Sequence, residues 1–71
     1  MEDTRAALVA SIRAEIARAD TSGVKVAAGI GMPHRTWVER MAGRVPFSAE
    51  EIVRIAEHLG VPTERLLGGG R

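Results

Sequence analysis

Four residues near the middle of the chain, His34, Arg35, Val38 and Glu39, carry side chains that could recognise a polar ligand. Their spacing of i, i+1, i+4 and i+5 places them on one face if the segment is helical. An arginine guanidinium donates paired hydrogen bonds, an imidazole donates or accepts, and a carboxylate accepts from amino groups. Valine adds an apolar contact. A face of this kind has the chemistry to contact the edges of nucleic-acid bases.

The elements around these residues predict a helix that could present them. Pro33 suits the first turn of a helix, and the predicted helix runs to Ala42 and stops at Gly43. Gly31 suits a left-handed corner before it, because a residue without Cβ takes positive φ at little steric cost. Trp37 falls on the opposite side of this helix from Arg35. We therefore expect Trp37 to be a core residue and not a platform for stacked bases.

The chain as a whole predicts an all-α, compact five-helix fold without strands. A first helix, about 4–19, has Asp3 or Thr4 as its N-cap, and a second, about 22–29, has Thr21 or Ser22. A fourth begins after Ser48 in a capping box with Glu51 and ends at Gly60, and a fifth follows Pro62. The run Asp-Thr-Ser-Gly after the first helix is a predicted break. The predicted core stripe of the first helix is Leu8, Ile12, Ile16 and Ala19, with Glu15 and the arginines elsewhere. The apolar residues expected between the second and third helices are Val26, Ala27, Ile30, Met32, Trp37 and Met41.

The length and composition of the chain limit the number of domains and the kinds of binding site that it could form. Seventy-one residues allow one small domain, placed at 1–67, with 68–71 as a disordered tail. The absence of cysteine excludes disulfides and thiolate metal sites, and no segment is apolar for the roughly 20 residues of a membrane span. The net charge of +1 is uneven, because residues 21–47 hold four basic side chains against Glu39 alone. We expect a cytoplasmic protein with no cofactor, metal ion, membrane or small-molecule ligand.

An enzyme is not expected. Glu50 and Glu51 form an adjacent carboxylate pair, but both lie in the predicted first turn of the fourth helix, where capping and the helix dipole account for them. No general base is placed beside a plausible nucleophile. No glycine-rich phosphate loop follows a strand. The sequence therefore predicts no catalytic residues.

Residues from about 22 to 67 resemble the helix-turn-helix family of phage Cro and repressor DNA-binding domains. The resemblance rests on Val26-Ala27, Gly31 four residues later, Trp37 at the buried site of the third helix, Gly43 closing that helix, and the segment IAEHLGVPTERLL. It implies a lambda-repressor-like fold, in which the second and third helices form the motif. The implied function is sequence-specific binding of double-stranded DNA by a transcriptional regulator. The short chain favours a Cro-like phage regulator or an excised DNA-binding domain.

The resemblance also implies residue roles. Base-reading sites fall on His34, Arg35, Val38 and Glu39, where Glu39 could accept from cytosine or hold Arg35 in place. The sites expected at the DNA backbone are Ser22, Gly23, Lys25, Thr36, Arg40 and Arg44. Two residues depart from the family: Gly23 stands where many members carry a phosphate-binding glutamine, and Arg40 occupies a usually apolar site. Arg40 therefore reaches a phosphate or lies along the edge of the core.

One helix contacts few base pairs, so the resemblance implies a homodimer on a pseudo-palindromic operator. Candidate residues for the dimer surface are Val61, Leu66 and Leu67. The alternative is a protein-interaction module with the same fold that does not bind DNA, such as an antitoxin-like subunit or a protein that binds another regulator. Gly23, Glu39 and the mild positive charge favour that alternative.

Overall fold

The computed structural model describes residues 4–68 and contains five α-helices connected by short turns. They are α1 (Thr4–Arg18), α2 (Gly23–Gly29), α3 (His34–Met41), α4 (Ala49–Leu59) and α5 (Thr63–Gly68). This part of the chain has no strand. The Cα radius of gyration is 11.0 Å, close to the roughly 11 Å expected for one compact domain of this length. The all-α prediction is confirmed.

Helices α1 to α4 all end with the same capping arrangement. After each helix, one residue takes positive φ, and the next amide donates back into the last turn. The four residues with positive φ are Asp20 (54°), Gly31 (73°), Gly43 (80°) and Gly60 (72°). Three were predicted as glycine stops. Asp20 was part of a predicted break, but its left-handed conformation was not anticipated.

Replacing Asp20 with glycine should therefore stabilise the protein. A left-handed conformation costs a residue with a Cβ roughly 1–2 kcal/mol, and the greater unfolded-state freedom of glycine offsets part of that cost. We expect a net gain of about 0.5–1 kcal/mol, seen as a rise in Tm of a few degrees. Asp20→Ala is the matched control, because it removes the same charge but keeps the Cβ, and it should not raise Tm. Equal stabilisation by both variants would assign the effect to charge and not to backbone conformation.

The core draws on all five helices: α5 packs against α1 and α4, and α2 packs against α1, α3 and α4. Ile12, Val26, Ile55 and Leu66 are its most completely buried large side chains. The Trp37 and Phe47 rings meet edge to face, with centroids 5.9 Å apart and planes at 69°, a favoured aromatic arrangement. The predicted residues between α2 and α3 are confirmed, since Val26, Ala27, Met32 and Trp37 are buried and Ile30 and Met41 pack against the core.

Two predictions for α1 were wrong. Ala19 is exposed and lies beyond the end of the helix. Glu15, expected on the surface, is buried, with its side chain only 4% exposed. Its carboxylate pairs with Arg18 on the same helix and lies 3.8 Å from Nη1 of Arg65 on α5. Both arginines remain largely exposed, so the buried charge is neutralised by groups that keep their own hydration.

The end of the chain also differs from the prediction. Leu66 is completely buried in the protein's own core, so it is not available to a second copy and is removed from the candidate dimer surface. Val61 is half-buried and packs against the core, and Leu67 is 61% exposed. Gly68, assigned to a disordered tail, is the last residue of α5. The rest of that tail, 69–71, lies outside the described residues, as does Asp3, the alternative N-cap of α1.

None of the helices in the described region is long and apolar enough to cross a membrane.

Candidate functional site

The exposed face of α3 carries the residues predicted to recognise a ligand. His34, Arg35 and Val38 are exposed and Glu39 is half-buried, whereas Trp37 on the other side is only 5% exposed. Helical geometry separates the two sets, since successive side chains are rotated by about 100°. We call His34, Arg35, Val38 and Glu39 the recognition face. The structure thus brings these four residues together on the surface. The helix that carries them, His34–Met41, is one residue shorter at each end than predicted.

The turn before α3 fixes the start of that helix, and with it the recognition face, relative to α2. Pro33 is the N-cap of α3 and not its first residue, with φ −57° and ψ 143°. The amides of Gly31 and Met32 donate to Ala28 and Ala27 at the end of α2, over 3.2 and 2.8 Å. Met32 is buried. These contacts connect α2 to α3 through a short turn whose backbone hydrogen bonds are satisfied.

Gly23 at the start of α2 lies against the indole of Trp37. A Cβ added to Gly23 would be 2.7 Å from Trp37 Nε1 and 3.3 Å from Cε2. Real Cβ atoms do not approach so closely, so any larger residue would force the indole or α2 to move. Packing against Trp37 therefore accounts for the glycine at this position. Gly23 has no side chain for a DNA backbone, and its contribution to an interface is limited to its backbone.

An open depression of ≈ 670 Å³ adjoins the recognition face. It lies between the second half of α1, the start of α2 and α3, and Trp37 and Val38 form part of its wall. Arg13 on α1 lines it opposite His34. Sequence analysis missed Arg13 as a site residue, because its position beside α3 depends on how α1 packs and has no local signal in the sequence.

Ser22, one of the residues predicted to contact the DNA backbone, caps the start of α2. The Ser22 hydroxyl accepts a hydrogen bond from the Lys25 amide over 3.2 Å, which identifies Ser22 and not Thr21 as the N-cap. The Lys25 side chain is exposed, and Thr36 on α3 is half-buried. Ser22 and Lys25 thus stand on the same end of α2, next to the depression that Ser22 lines.

Arg40 is joined to α4 by a bidentate ion pair. Its Nε donates to Oε1 of Glu51 over 3.1 Å, and its Nη2 donates to Oε2 over 3.2 Å. Both side chains are largely buried, with 21% and 22% exposure. The geometry favours a role for Arg40 in holding α3 against α4. A phosphate contact by Arg40 stays a prediction.

Glu51 also completes the predicted capping box of α4. Its Oε1 accepts from the Ser48 amide over 2.9 Å, and its own amide donates to the Ser48 hydroxyl over 3.1 Å. The hydrogen bonds from Arg40 lower the pKa of Glu51 below its ordinary value, and they outweigh the opposing effect of burial. One carboxylate therefore caps α4 and fixes the orientation of α3.

Glu51→Gln should reveal this double role through its pH dependence. A depressed folded-state pKa contributes stability above the unfolded-state pKa, and that contribution disappears as pH falls through the folded-state pKa. Because glutamine can still cap the helix, we expect a loss of about 1–2 kcal/mol at pH 7, largely from the charged pair. The difference from the parent protein should shrink by pH 3, as measured by urea unfolding. The contribution of the pair is disproved if the deficit is the same at both pH values.

Glu50→Gln is the matched control for that experiment. Glu50 lies in the same first turn, but it is exposed and pairs only with exposed Arg54, over 3.0 Å. Exposed pairs contribute about 0–1 kcal/mol. Glu50→Gln should therefore change stability by less than about half as much as Glu51→Gln at pH 7.

Arg44, which follows α3, forms an ion pair with Glu39. Arg44 Nη1 donates to Glu39 Oε2 over 3.2 Å, with side-chain exposures of 68% and 39%. Two roles were predicted for Glu39: to accept from cytosine or to hold Arg35 in place. The structure shows no ion pair between Glu39 and Arg35.

Three other basic residues have no partner in the described part of the chain. The side chains of Arg13, Lys25 and Arg35 make no ion pair or hydrogen bond with any residue from 4 to 68. These three exposed cations, of which Arg13 lines the depression and Arg35 lies on the recognition face, thus have no ion pair within residues 4–68.

The described part of the chain contains no group of three histidine, aspartate or glutamate residues that could hold a metal ion. His58, the second histidine, lies on α4 with its ring against Gly29 at the end of α2, and it does not line the depression. The recognition face and the depression together offer hydrogen-bonding, cationic and apolar groups and one carboxylate, Glu39, which is paired with Arg44.

No family model matches this chain, and neither the curated proteins nor the solved structures include a detectable match.

Proposed function

We propose that the protein is a sequence-specific double-stranded DNA-binding regulator of the lambda-repressor-like helix-turn-helix type. In this proposal α2 and α3 form the motif, and α3 enters the major groove with the recognition face toward the bases. The observation that carries the proposal is the exposed Arg35 on α3, free of any acidic partner in residues 4–68, as are the exposed Arg13 on α1 and Lys25 on α2. A polyanion would neutralise all three.

Each proposed contact follows from the chemistry of its side chain. Arg35 can donate two hydrogen bonds to O6 and N7 of guanine, a contact worth about 1–3 kcal/mol of discrimination. His34 can donate to guanine or to a phosphate, and Val38, 43% exposed, can meet a thymine methyl. Lys25 and Arg13 supply attraction to phosphates that does not depend on sequence. Ser22 and Thr36 could add neutral hydrogen bonds at the backbone.

A homodimer on a pseudo-palindromic site completes the proposal. Two copies would place their α3 helices in successive major grooves about 34 Å apart, one turn of DNA. Leu67 remains the best candidate at the dimer surface because it is 61% exposed on α5, with half-buried Val61 beside the start of that helix. Such a regulator would act in the cytoplasm.

Binding to random-sequence duplex DNA over a salt series tests the proposal. On random-sequence DNA, where Arg35 has no fixed guanine to bind, Arg13, Lys25 and Arg35 can each neutralise a phosphate. A dimer should then give a log–log slope near −5, at about −0.9 per contact. A flat salt response, or no binding at low salt, would disprove DNA binding.

Arg35→Ala tests the recognition face directly. On an operator selected from a random pool, this variant should bind roughly 5- to 100-fold more weakly and lose preference at one base pair. Arg54→Ala is the matched control, because Arg54 is an exposed arginine on α4 that pairs with Glu50. It should leave affinity unchanged within about twofold, since it lies off the proposed interface.

The alternative, a protein-interaction module, is favoured by one observation. Val24, 61% exposed, and Val38 border the depression beside Trp37, and much of its lining is apolar. Phosphates do not fill an apolar surface, whereas a partner helix could. In that case the protein would show no salt-dependent binding to duplex DNA. Gly23 no longer supports this alternative, since the packing of Trp37 accounts for it.

A further inference from the structure

We propose that Glu39 determines specificity by controlling Arg44. On DNA without the preferred base pair, Glu39 keeps Arg44 in their ion pair and away from the phosphates. Where a base presents an amino group to Glu39, the carboxylate accepts from that group and Arg44 is released to a phosphate. This inference rests on the proposed DNA-binding function and assigns a mechanism to two residues of that interface.

The end of α3 brings the two side chains together. The Gly43 amide donates to the Arg40 carbonyl over 3.1 Å, and the Arg44 amide donates to the Glu39 carbonyl over 3.2 Å. With Gly43 at φ 80°, these bonds fix the backbone of Arg44 one turn beyond Glu39. The side chains then meet over 3.2 Å without a large loss of backbone freedom. The capping motif therefore preorganises the pair.

Within residues 4–68, no cation other than Arg44 pairs with Glu39. Arg35 is four residues earlier on the same helix, at a spacing that permits an ion pair, yet Glu39 contacts Arg44 instead. Arg40 is held by Glu51 on the other side of α3. Arg44 is thus the one arginine near the recognition face whose availability depends on Glu39.

The exposure of the pair makes the exchange feasible. Exposed ion pairs are weak, so a new contact for each partner can replace them. Cytosine N4 and adenine N6 are the amino donors in the major groove, whereas guanine O6 and thymine O4 are acceptors that repel a carboxylate. When an acceptor atom of a base faces Glu39, the carboxylate forms no new hydrogen bond, so its ion pair with Arg44 is kept. A wrong base therefore costs both the base contact and one phosphate contact.

The first test uses the selected operator with the base pair opposite Glu39 reversed, so that an acceptor and not an amino group faces the carboxylate. Arg44→Gln should leave the salt slope unchanged, because Arg44 is already occupied by Glu39. Glu39→Gln should steepen the slope by about 0.9 per subunit, since Arg44 becomes free to neutralise a phosphate. The double variant should return to the parent slope. If the slope remains steep in the double variant, the carboxylate acts by general repulsion and the inference is wrong.

A selected operator provides the second test. Here Arg44→Gln should weaken binding by roughly 3- to 10-fold, the loss of one charge-assisted contact. The same substitution should have no effect on an operator changed at the base pair whose preference Glu39→Gln abolishes. Equal losses on both operators, or additive effects of the two substitutions, would overturn the inference while leaving DNA binding intact. If the parent protein binds no duplex DNA, the proposed function itself fails. Thermal unfolding of each variant confirms that the fold is retained.

Discussion

Replacing Leu66 with alanine should destabilise the protein by about 2–5 kcal/mol, whereas the same change at Leu67 should cost less than about 0.5 kcal/mol. Leu66 is completely buried, so truncation removes apolar contacts and leaves a cavity. Leu67 is 61% exposed. A chain of this length is stable by only about 4–10 kcal/mol, so the Leu66 variant should lose much of its folded population on mild heating.

Thermal unfolding followed by circular dichroism measures both effects. The Leu66 variant should unfold at least about 10 °C lower than the parent, and the Leu67 variant within a few degrees of it. Equal shifts would mean that the packing of α5 is wrong. If Leu67→Ala lowers Tm only at high protein concentration, where a dimer would be populated, Leu67 lies in a contact between two copies.

The second large effect is expected at Gly23. Alanine is a better helix former than glycine by about 1 kcal/mol, so propensity alone would make Gly23→Ala stabilising. The new Cβ would instead be 2.7 Å from Trp37 Nε1, and overpacking of this kind costs about 1–3 kcal/mol. We expect a lower Tm and weaker DNA binding, because a displaced indole would shift the recognition face.

Two further variants separate this clash from other causes. In a Trp37→Phe background the smaller ring should reduce the cost of Gly23→Ala, giving a positive coupling in a double-mutant cycle. Gly29→Ala, at the other end of α2, is the matched glycine control. The three atoms nearest to its Cβ all belong to the ring of His58, at 2.2, 2.6 and 2.9 Å, and this exposed side chain can rotate away, whereas the buried Trp37 cannot. Stabilisation by both glycine replacements would show that Trp37 does not constrain Gly23.

The features that sequence analysis predicted correctly are those whose signals lie close together in the chain. The capping box joins Ser48 and Glu51, three residues apart, and the structure contains both of its hydrogen bonds. Three of the four helix ends with positive φ were marked by glycine. The recognition face followed from helical periodicity alone, since Trp37 determines which side of α3 is buried.

The features that were missed depend on packing between distant elements. The burial of Glu15 involves α5, because Arg65, one of the two arginines beside its carboxylate, lies on that helix. The pair between Arg40 and Glu51 crosses from one helix to the next, and no local pattern indicates it. Leu66 and Leu67 are adjacent in a helix of six residues, too short for its periodicity to tell the buried leucine from the exposed one.

The position of Trp37 also gives the protein an intrinsic optical probe. It is the only tryptophan in the chain, so its emission arises from a single site. Its ring is buried, yet it borders the depression next to His34 and Val38. Unfolding would expose the indole to water, and a ligand seated against α3 would change its surroundings without unfolding. Folding and occupancy could therefore be followed on unlabelled protein, by the same chromophore, in one titration.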